Sequence, residues 1–167
     1  SYMTEHDALV TNAGLQAGEA VFINAASSGV GVAAIQLARL QGASPIIGSS
    51  GAAHKLHTLT TLGMDHGINY HTQNIADTVL SLTGKRGVDV IIDHVGASQF
   101  QEHLRCMALQ GRLVSVGRLG GRTSELDLDL LALKRLRLIG VTFRTRTLEE
   151  RIAIARRFAE DVLPALA

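Results

Sequence analysis

The sequence is poor in cysteine, in net charge and in long apolar runs. Its single cysteine, Cys106 of 167 residues, excludes an internal disulfide and a multi-cysteine zinc site. A net charge of +1 gives no overall field that would favour nucleic acid or an anionic membrane. No apolar run reaches the roughly 18 residues of a membrane span, and Ser1 begins no signal-peptide pattern.

The composition is that of a globular domain. Hydrophobic residues make up 46% of the chain and charged residues 19%, and 167 residues suffice for one full core but not for two ordinary domains. We therefore expect residues 1–167 to form one domain. A cytoplasmic enzyme fits these features.

The most informative stretch is Ala20–Gly42, which predicts a strand, a turn of small residues and a helix. The apolar run Ala20–Ala26 is typical of a buried strand. The helix is indicated by one apolar stripe at helical spacing, namely Val30, Ala33, Ala34, Leu37 and Ala38. Unpaired N–H groups at the start of such a helix can hold a pyrophosphate when no side chain blocks the approach.

The glycine fingerprint G-x-G-x-x-G appears here in altered form. It maps onto Ala26, Ser28 and Gly31, with an additional Gly29, so two of its three glycines are replaced. The context supports the motif, because the turn follows a strand and opens a helix. The alternative is an ordinary strand–helix connection.

Strands and helices are predicted to alternate along the whole chain. A lead-in helix lies within Ser1–Gly18. The predicted strands after the first are Ser44–Ser50, Gly67–Tyr70, Val88–Asp93, Arg112–Val116 and Leu136–Val141. Helices are predicted between these strands over about Ala52–Leu62, over a segment that Asn74 caps, and near Leu128–Leu133. Another helix, behind the strand Val88–Asp93, is marked by Phe100, Leu104 and Met107. The final helix begins with a capping box of Thr147 and Glu150, and its predicted apolar face consists of Ile152, Ala155, Ala159 and Val162.

This alternation predicts the α/β class with a Rossmann-type, doubly wound, six-stranded parallel sheet and helices on both faces, a three-layer α/β/α arrangement. Ligands of such sheets bind at the carboxyl ends of the strands. We therefore expect one cleft there.

The end of the second strand bears on the choice of dinucleotide. NAD-preferring folds place an acid there, whereas no Asp or Glu occurs between Glu19 and Asp65. Ser49, Ser50 and the next helix N-terminus offer neutral donors, and Lys55 lies one turn further on. These groups favour a 2′-phosphate and hence NADP(H); the alternative for Lys55 is a solvated helix lysine.

Six segments together resemble the nucleotide-binding domain of the zinc-free quinone oxidoreductases, in the medium-chain dehydrogenase/reductase superfamily. They are AASSGVGVAAIQLA at Ala25–Ala38, GSSGAAHK at Gly48–Lys55, GINY at Gly67–Tyr70, VDVIIDHVG at Val88–Gly96, GRLVSVG at Gly111–Gly117 and LIGVTF at Leu138–Phe143. They cover most of the chain in the order of the family.

The resemblance implies specific cofactor-binding residues. Ser28, Gly29, Val30 and Gly31 would hold the pyrophosphate, and Lys55 and Tyr70 would flank the 2′-phosphate of NADPH, with Ser49 and Ser50 beside them. Gly117, Arg118 and Leu119 with Phe143 would lie along the nicotinamide side. Val95 is a further expected cofactor-binding residue. Tyr70 could alternatively be a strand-end aromatic packed on the sheet rim.

The resemblance also implies an activity. The whole enzyme would transfer a hydride from NADPH to a quinone or an electron-poor alkene without zinc. The family's barrel-like substrate domain and the C-terminal return segment are not in this chain, so we expect a cofactor domain with weak turnover by itself. Rivals are a zinc-type alcohol dehydrogenase, a polyketide-synthase enoyl reductase and a non-catalytic NADPH-binding protein.

Three further expectations concern neighbouring groups. His94 could polarise a substrate or be an ordinary loop histidine. The zinc-containing relatives take one thiolate ligand from the segment that enters this domain, so the resemblance implies no metal site here, because Ser1–Gly18 has no cysteine. Cys106 suits a buried core thiol better than a ligand. The apolar stretch Leu136–Phe143 suggests a homodimer through the edge of the sixth strand.

Overall fold

The computed structural model describes residues 1–166 of the chain, and its strands and helices alternate as the sequence predicts. The strands are β1 Val21–Ile23, β2 Ile46–Ser50, β3 His66–Asn69, β4 Val88–Asp93, β5 Met107–Ser115 and β6 Arg137–Gly140. The helices are α1 Tyr2–His6, α2 Gly29–Leu40, α3 Ala53–Thr60, α4 Ile75–Leu82, α5 Phe100–Cys106, α6 Leu128–Lys134 and α7 Leu148–Val162. A π-helical segment, Asp7–Asn12, continues α1, and short 3₁₀ segments lie at Ala97–Gln99 and Leu163–Leu166.

The six strands form one parallel sheet in the order β3-β2-β1-β4-β5-β6. Strand order reverses between β1 and β4, which are neighbours in space but not in sequence. Doubly wound sheets bind ligands at this point, outside the carboxyl ends of the strands. The predicted fold class is confirmed.

The two faces of the sheet carry separate apolar cores because successive side chains of a strand point in opposite directions. Val21, Ile23 and Ile92 belong to one core, which also contains Leu9 and Leu37. The other core holds Phe22, Ile91, Val79 and Leu104. Helices therefore cover both faces, as the three-layer prediction requires.

The predicted helix caps are present. The Asn74 side chain accepts a hydrogen bond from the Asp77 N–H at 2.9 Å. Thr147 and Glu150 form a full capping box, in which each side chain accepts from the other residue's backbone N–H. Local sequence signals thus fix where α4 and α7 begin.

Two predictions of element boundaries are wrong. Met107 is the first residue of β5 rather than part of the preceding helix. A register shift opposite Val88–Val90 and a positive φ of 61° at Gln110 form an irregularity that lets β5 begin five residues before Arg112.

The predicted apolar face of α7 also needs correction. Ile152 is 42% exposed, whereas Ile154 is 7% exposed and belongs to the core. Ile154, Phe158 and Val162 recur at a helical spacing of four residues; Ile154 and Val162 are buried, and Phe158 packs on the same core as Val162. The buried stripe therefore begins at Ile154.

This correction leads to a matched pair of substitutions. Ile154→Ala is expected to lower the free energy of unfolding by about 2 kcal/mol, because it leaves a cavity under α7. Ile152→Ala should change it by less than about 0.5 kcal/mol, because the side chain lies at the surface. Urea titration followed by circular dichroism measures both, and equal losses would contradict the assignment.

Candidate functional site

The turn between β1 and α2 presents free backbone donors at the carboxyl edge of the sheet. Ser28 is the N-cap of α2, and its hydroxyl accepts the Gly31 N–H at 3.1 Å. The backbone N–H groups of Gly29 and Val30 come just before that of Gly31, in the first turn of α2, where backbone N–H groups have no carbonyl acceptor within the helix. Together with the positive end of the helix dipole they form an anion site.

The two glycines of this turn have different roles. A Cβ at Gly31 would lie 2.5 Å from the Ala25 carbonyl oxygen and 2.6 Å from Ala26 Cα, so only glycine lets α2 pack this closely on the turn. A Cβ at Gly29 would meet nothing within 4 Å, so the approach to the helix end is open. A phosphate-bearing cofactor fits this arrangement.

Five predicted site residues line one cleft of about 480 Å³ beside this turn: Ser28, Ser50, Lys55, Tyr70 and Val95. The ammonium of Lys55 has no carboxylate partner among residues 1–166, and no Asp or Glu lines the cleft. Its electrostatic character is therefore cationic. The sequence reasoning missed Ser27, Ser98 and Gln99, which also line it.

Ser49 and Ser50 differ in their surroundings although they are neighbours on β2. The Ser50 hydroxyl lies 2.8 Å from the Ser27 hydroxyl and accepts the Ala52 N–H at 3.2 Å. Ser49 is fully buried, and its hydroxyl has no hydrogen-bond partner in the described chain. Because strand side chains alternate, only Ser50 faces the cleft, and the expected role of Ser49 is not provided by this structure.

The other end of the site is formed by the loops after β5 and β6. Arg118 and Phe143 line a second cleft of about 300 Å³ together with Thr4 of α1. The backbone of Gly117 packs directly against the His94 carbonyl, where a Cβ would overlap. Leu119 is 90% exposed and lines neither cleft, contrary to the expectation that placed it there.

Between the two clefts lies a buried polar network that the sequence did not reveal. Asp93 Oδ1 accepts the Asn24 side-chain N–H at 2.6 Å and the backbone N–H groups of Val95 and Gly96 at 2.9 Å. The Asn24 side-chain oxygen in turn accepts the His94 N–H at 2.6 Å. The network joins the ends of β1 and β4 at the point where strand order reverses.

The imidazole of His94 is part of this network and does not face the cleft. It is 4% exposed; Nδ1 donates to the Asn24 carbonyl at 2.9 Å, and Nε2 lies 3.2 Å from Glu5 Oε1. Burial opposes the charged form, but the hydrogen bond to Glu5, the charges of Glu5 and Asp93 and the hydrogen bond to the Asn24 carbonyl together outweigh it and raise the pKa of His94. The substrate-polarising role considered for His94 does not fit this placement.

Metal ligands are not assembled in the described chain. Residues 1–166 contain no group of three or more His, Cys, Asp or Glu side chains placed to hold an ion. Cys106 is buried behind β4, and burial raises the pKa of its thiol to about 12. A thiol in that state is a poor ligand.

None of the helices within residues 1–166 is long and apolar enough to cross a bilayer.

The Asp93 carboxylate should make stability depend on pH. Burial opposes its ionisation, but His103 and the hydrogen bonds to Oδ1 outweigh that and lower its pKa to about 2. Its stabilisation, about 2 kcal/mol, is thus present above the unfolded pKa near 4 and is lost as pH falls towards 2. Asp93→Asn should have a lower free energy of unfolding than the parent at pH 7. The difference between the two free energies, measured by urea titration, should be smaller at pH 3. A gap independent of pH would contradict this.

Comparison with known proteins agrees with the fold. Residues 29–160 match the family described as zinc-binding dehydrogenase. The chain is 34% identical over 141 residues to quinone oxidoreductase-like protein 2 of Rattus norvegicus, covering 84% of this chain and 40% of that protein. It is 32% identical over 149 residues to the quinone oxidoreductase of Homo sapiens, covering 89% and 44%.

A solved structure shows the same architecture. The crystal structure of 2-haloacrylate reductase superposes with a TM-score of 0.87 at 27% identity, over 98% of this chain and 52% of that one. The chain thus spans about half the length, or less, of these three proteins. Its six-stranded fold, its helix-end anion site and these relatives show that the chain belongs to the zinc-binding dehydrogenase family, as the nucleotide-binding domain of a quinone oxidoreductase-like member of the medium-chain dehydrogenase/reductase superfamily.

Proposed function

We propose that this domain binds NADP(H) in preference to NAD(H). The observation that carries the proposal is the cleft of Ser50, Lys55 and Tyr70, which holds one cation, hydroxyl groups and no carboxylate. The Lys55 ammonium attracts the 2′-phosphate of NADP(H), whereas the uncharged 2′-hydroxyl of NAD(H) gains little from a nearby cation. The family membership supports a nicotinamide cofactor in general.

The pyrophosphate is assigned to the open N–H groups of Gly29 and Val30, with Gly31 allowing the close turn. Gly117, Arg118 and Phe143 would then border the nicotinamide half, at the opposite end from Lys55. Ser49 and Leu119 are left out of this assignment because one is buried and the other projects into solvent. Asp93 and Asn24 keep the β4 loop and Val95 in place.

We further propose that the whole enzyme reduces a quinone or an electron-poor alkene without zinc. The names of the relatives, quinone oxidoreductase and 2-haloacrylate reductase, support this reaction class. A bound nicotinamide cofactor supplies the hydride, and this chain's residues orient it and wall the cleft. Turnover by the domain alone should be weak, because in the family a second domain completes the substrate pocket. A cytoplasmic location belongs to the same proposal, in keeping with the free thiol of Cys106.

The preference for NADPH can be tested by removing Lys55. The parent chain should bind NADPH at least tenfold tighter than NADH, a difference of about 1.4 kcal/mol. Lys55→Ala should lose most of that preference while leaving NADH affinity unchanged, because the ammonium contacts only the extra phosphate. Isothermal titration calorimetry of both nucleotides measures this.

The matched control is Arg156→Ala, which removes one positive charge from an exposed position on α7 that lines no part of the cleft. It should keep the preference of the parent. An equal loss in both variants would mean that overall charge, not Lys55, selects the phosphate.

A homodimer through the β6 edge is the proposed assembly. β6 pairs with β5 on one side only, at the end of the sheet order. Its side chains are poorly covered for a strand, with Leu138 38% exposed. An unpaired strand edge of this kind favours pairing with a second copy.

Light scattering should therefore give the mass of two chains. Leu138→Lys should shift the mass towards one chain, because it places a charge where the second strand would pack. The control is Leu133→Lys on α6, where the leucine is already 69% exposed. A parent that is monomeric at micromolar concentration would contradict the proposed assembly.

A further inference from the structure

A buried carboxylate of α1, Glu5, reaches the carboxyl edge of the sheet. It is fully buried, and its Oε1 lies 3.2 Å from Nε2 of His94, which is itself 4% exposed. Its other oxygen, Oε2, has no hydrogen-bond partner among residues 1–166. Neither side chain lines the two clefts of the cofactor site. Any effect of this pair on binding must therefore pass through other residues.

The surroundings of the His94 ring determine its protonation. Nδ1 lies 2.9 Å from the carbonyl oxygen of Asn24, which can only accept a hydrogen bond, so this nitrogen carries a proton. An ionised Glu5 can also only accept, so Nε2 must carry a second proton. Only the imidazolium meets both requirements. Burial lowers the pKa of His94, but Glu5, Asn24 and Asp93 together raise it above its ordinary value.

The other charged groups near this pair have partners of their own. Asp93, next to the ring on β4, accepts hydrogen bonds from the loop after that strand and has His103 of α5 at 3.7 Å. Asp7, the next carboxylate along the lead-in segment, pairs with Arg146 at 2.8 Å. If the imidazolium loses its proton, the Glu5 charge is left buried opposite a ring nitrogen that can no longer donate.

The backbone of His94 joins both halves of the cofactor site. Val95, which follows it, lines the cleft of Lys55. The His94 carbonyl oxygen lies against Gly117, where an added Cβ would come within 2.2 Å of it. The His94 N–H and Nδ1 bind the side chain and the carbonyl of Asn24, the residue that leads from β1 into the turn before α2. A shift of this imidazole therefore disturbs the phosphate end and the nicotinamide end together.

We infer that Glu5 is a positioning residue for the cofactor, which keeps a proton on His94 and thereby holds the two strand-end loops in the shape that binds the dinucleotide. The inference rests on the proposed function, since it concerns the same site. Once the proton is lost, the carboxylate and the neutral ring separate and the loops loosen. NADPH and NADH are affected by the same factor, because neither residue lines the cleft that holds the 2′-phosphate.

The dependence on pH has a definite sign. The pKa of an unfolded histidine is about 6.5, and that of His94 in the folded chain is higher. The contribution of the pair is complete below the unfolded value and is lost as pH rises through the folded value. By linkage, cofactor binding and protonation favour each other, so the dinucleotide binds more weakly at alkaline pH and takes up protons when it binds there.

Isothermal titration calorimetry of both nucleotides at pH 7 and pH 9 tests the inference. The parent chain should lose at least about fivefold in affinity for each nucleotide at pH 9. Glu5→Gln should bind equally at both pH values, because its amide N–H can donate to the unprotonated Nε2 of a neutral His94. A residue that only stabilised the fold would not remove the pH dependence in this way.

The matched control is Asp7→Asn, which changes an equally buried carboxylate of the same segment. Its partner Arg146 keeps its charge at both pH values, so this variant should show the loss at pH 9 that the parent shows. The inference is overturned if the parent binds equally at both pH values, if Glu5→Gln weakens as the parent does, or if Asp7→Asn abolishes the dependence as well.

A measurement on the parent alone decides the matter even if Glu5→Gln does not fold. Titrations of NADH at pH 9 in two buffers with different heats of ionisation give the number of protons taken up on binding. Net uptake is expected, and its absence would overturn the inference. If neither nucleotide binds at pH 7, the proposed function fails instead, and this inference with it.

Discussion

The site depends on one buried carboxylate, Asp93, at the point where strand order reverses. It binds the Asn24 side chain at the end of β1 and two N–H groups of the loop after β4. Leaving such donors unpaired in the interior would cost about 1–3 kcal/mol each, so the network tolerates few alternatives. By fixing both strand ends it sets the width of the cleft between the α2 N-terminus and the loop that carries Val95.

Charge is distributed unevenly around this centre. The lead-in segment buries Glu5, His6 and Asp7, and each is compensated by a partner from a different element: His94, Asp161 and Arg146. The two open clefts, in contrast, expose cations without carboxylates. Ion pairs thus hold the lead-in segment against the end of β4 and against α7 and the loop before it, whereas the cations of the two clefts have no carboxylate beside them.

Much of the site could be predicted because its signals are local. The helix-end anion site follows from a strand, a small-residue turn and a helix in direct succession, and the structure places Ser28, Ser50, Lys55 and Tyr70 around one cleft. Predictions were weaker where a side chain's direction depends on its neighbours. Ser49 and Ser50 are the same residue type side by side, and only the pleat of β2 decides which one reaches the cleft.

The sequence by itself determined the alternation of strands and helices, the caps of α4 and α7 and the small-residue turn that opens α2, because each is set by residues within a few positions of one another. Only the tertiary structure decided that Glu5 meets His94, that Asn24 meets Asp93 and that Arg118 shares a cleft with Arg144. These contacts join segments separated by 26 to 89 positions. Hydrophobic periodicity records which face of an element is buried, but not which element lies opposite it, so polar pairs of this kind leave no pattern along the chain.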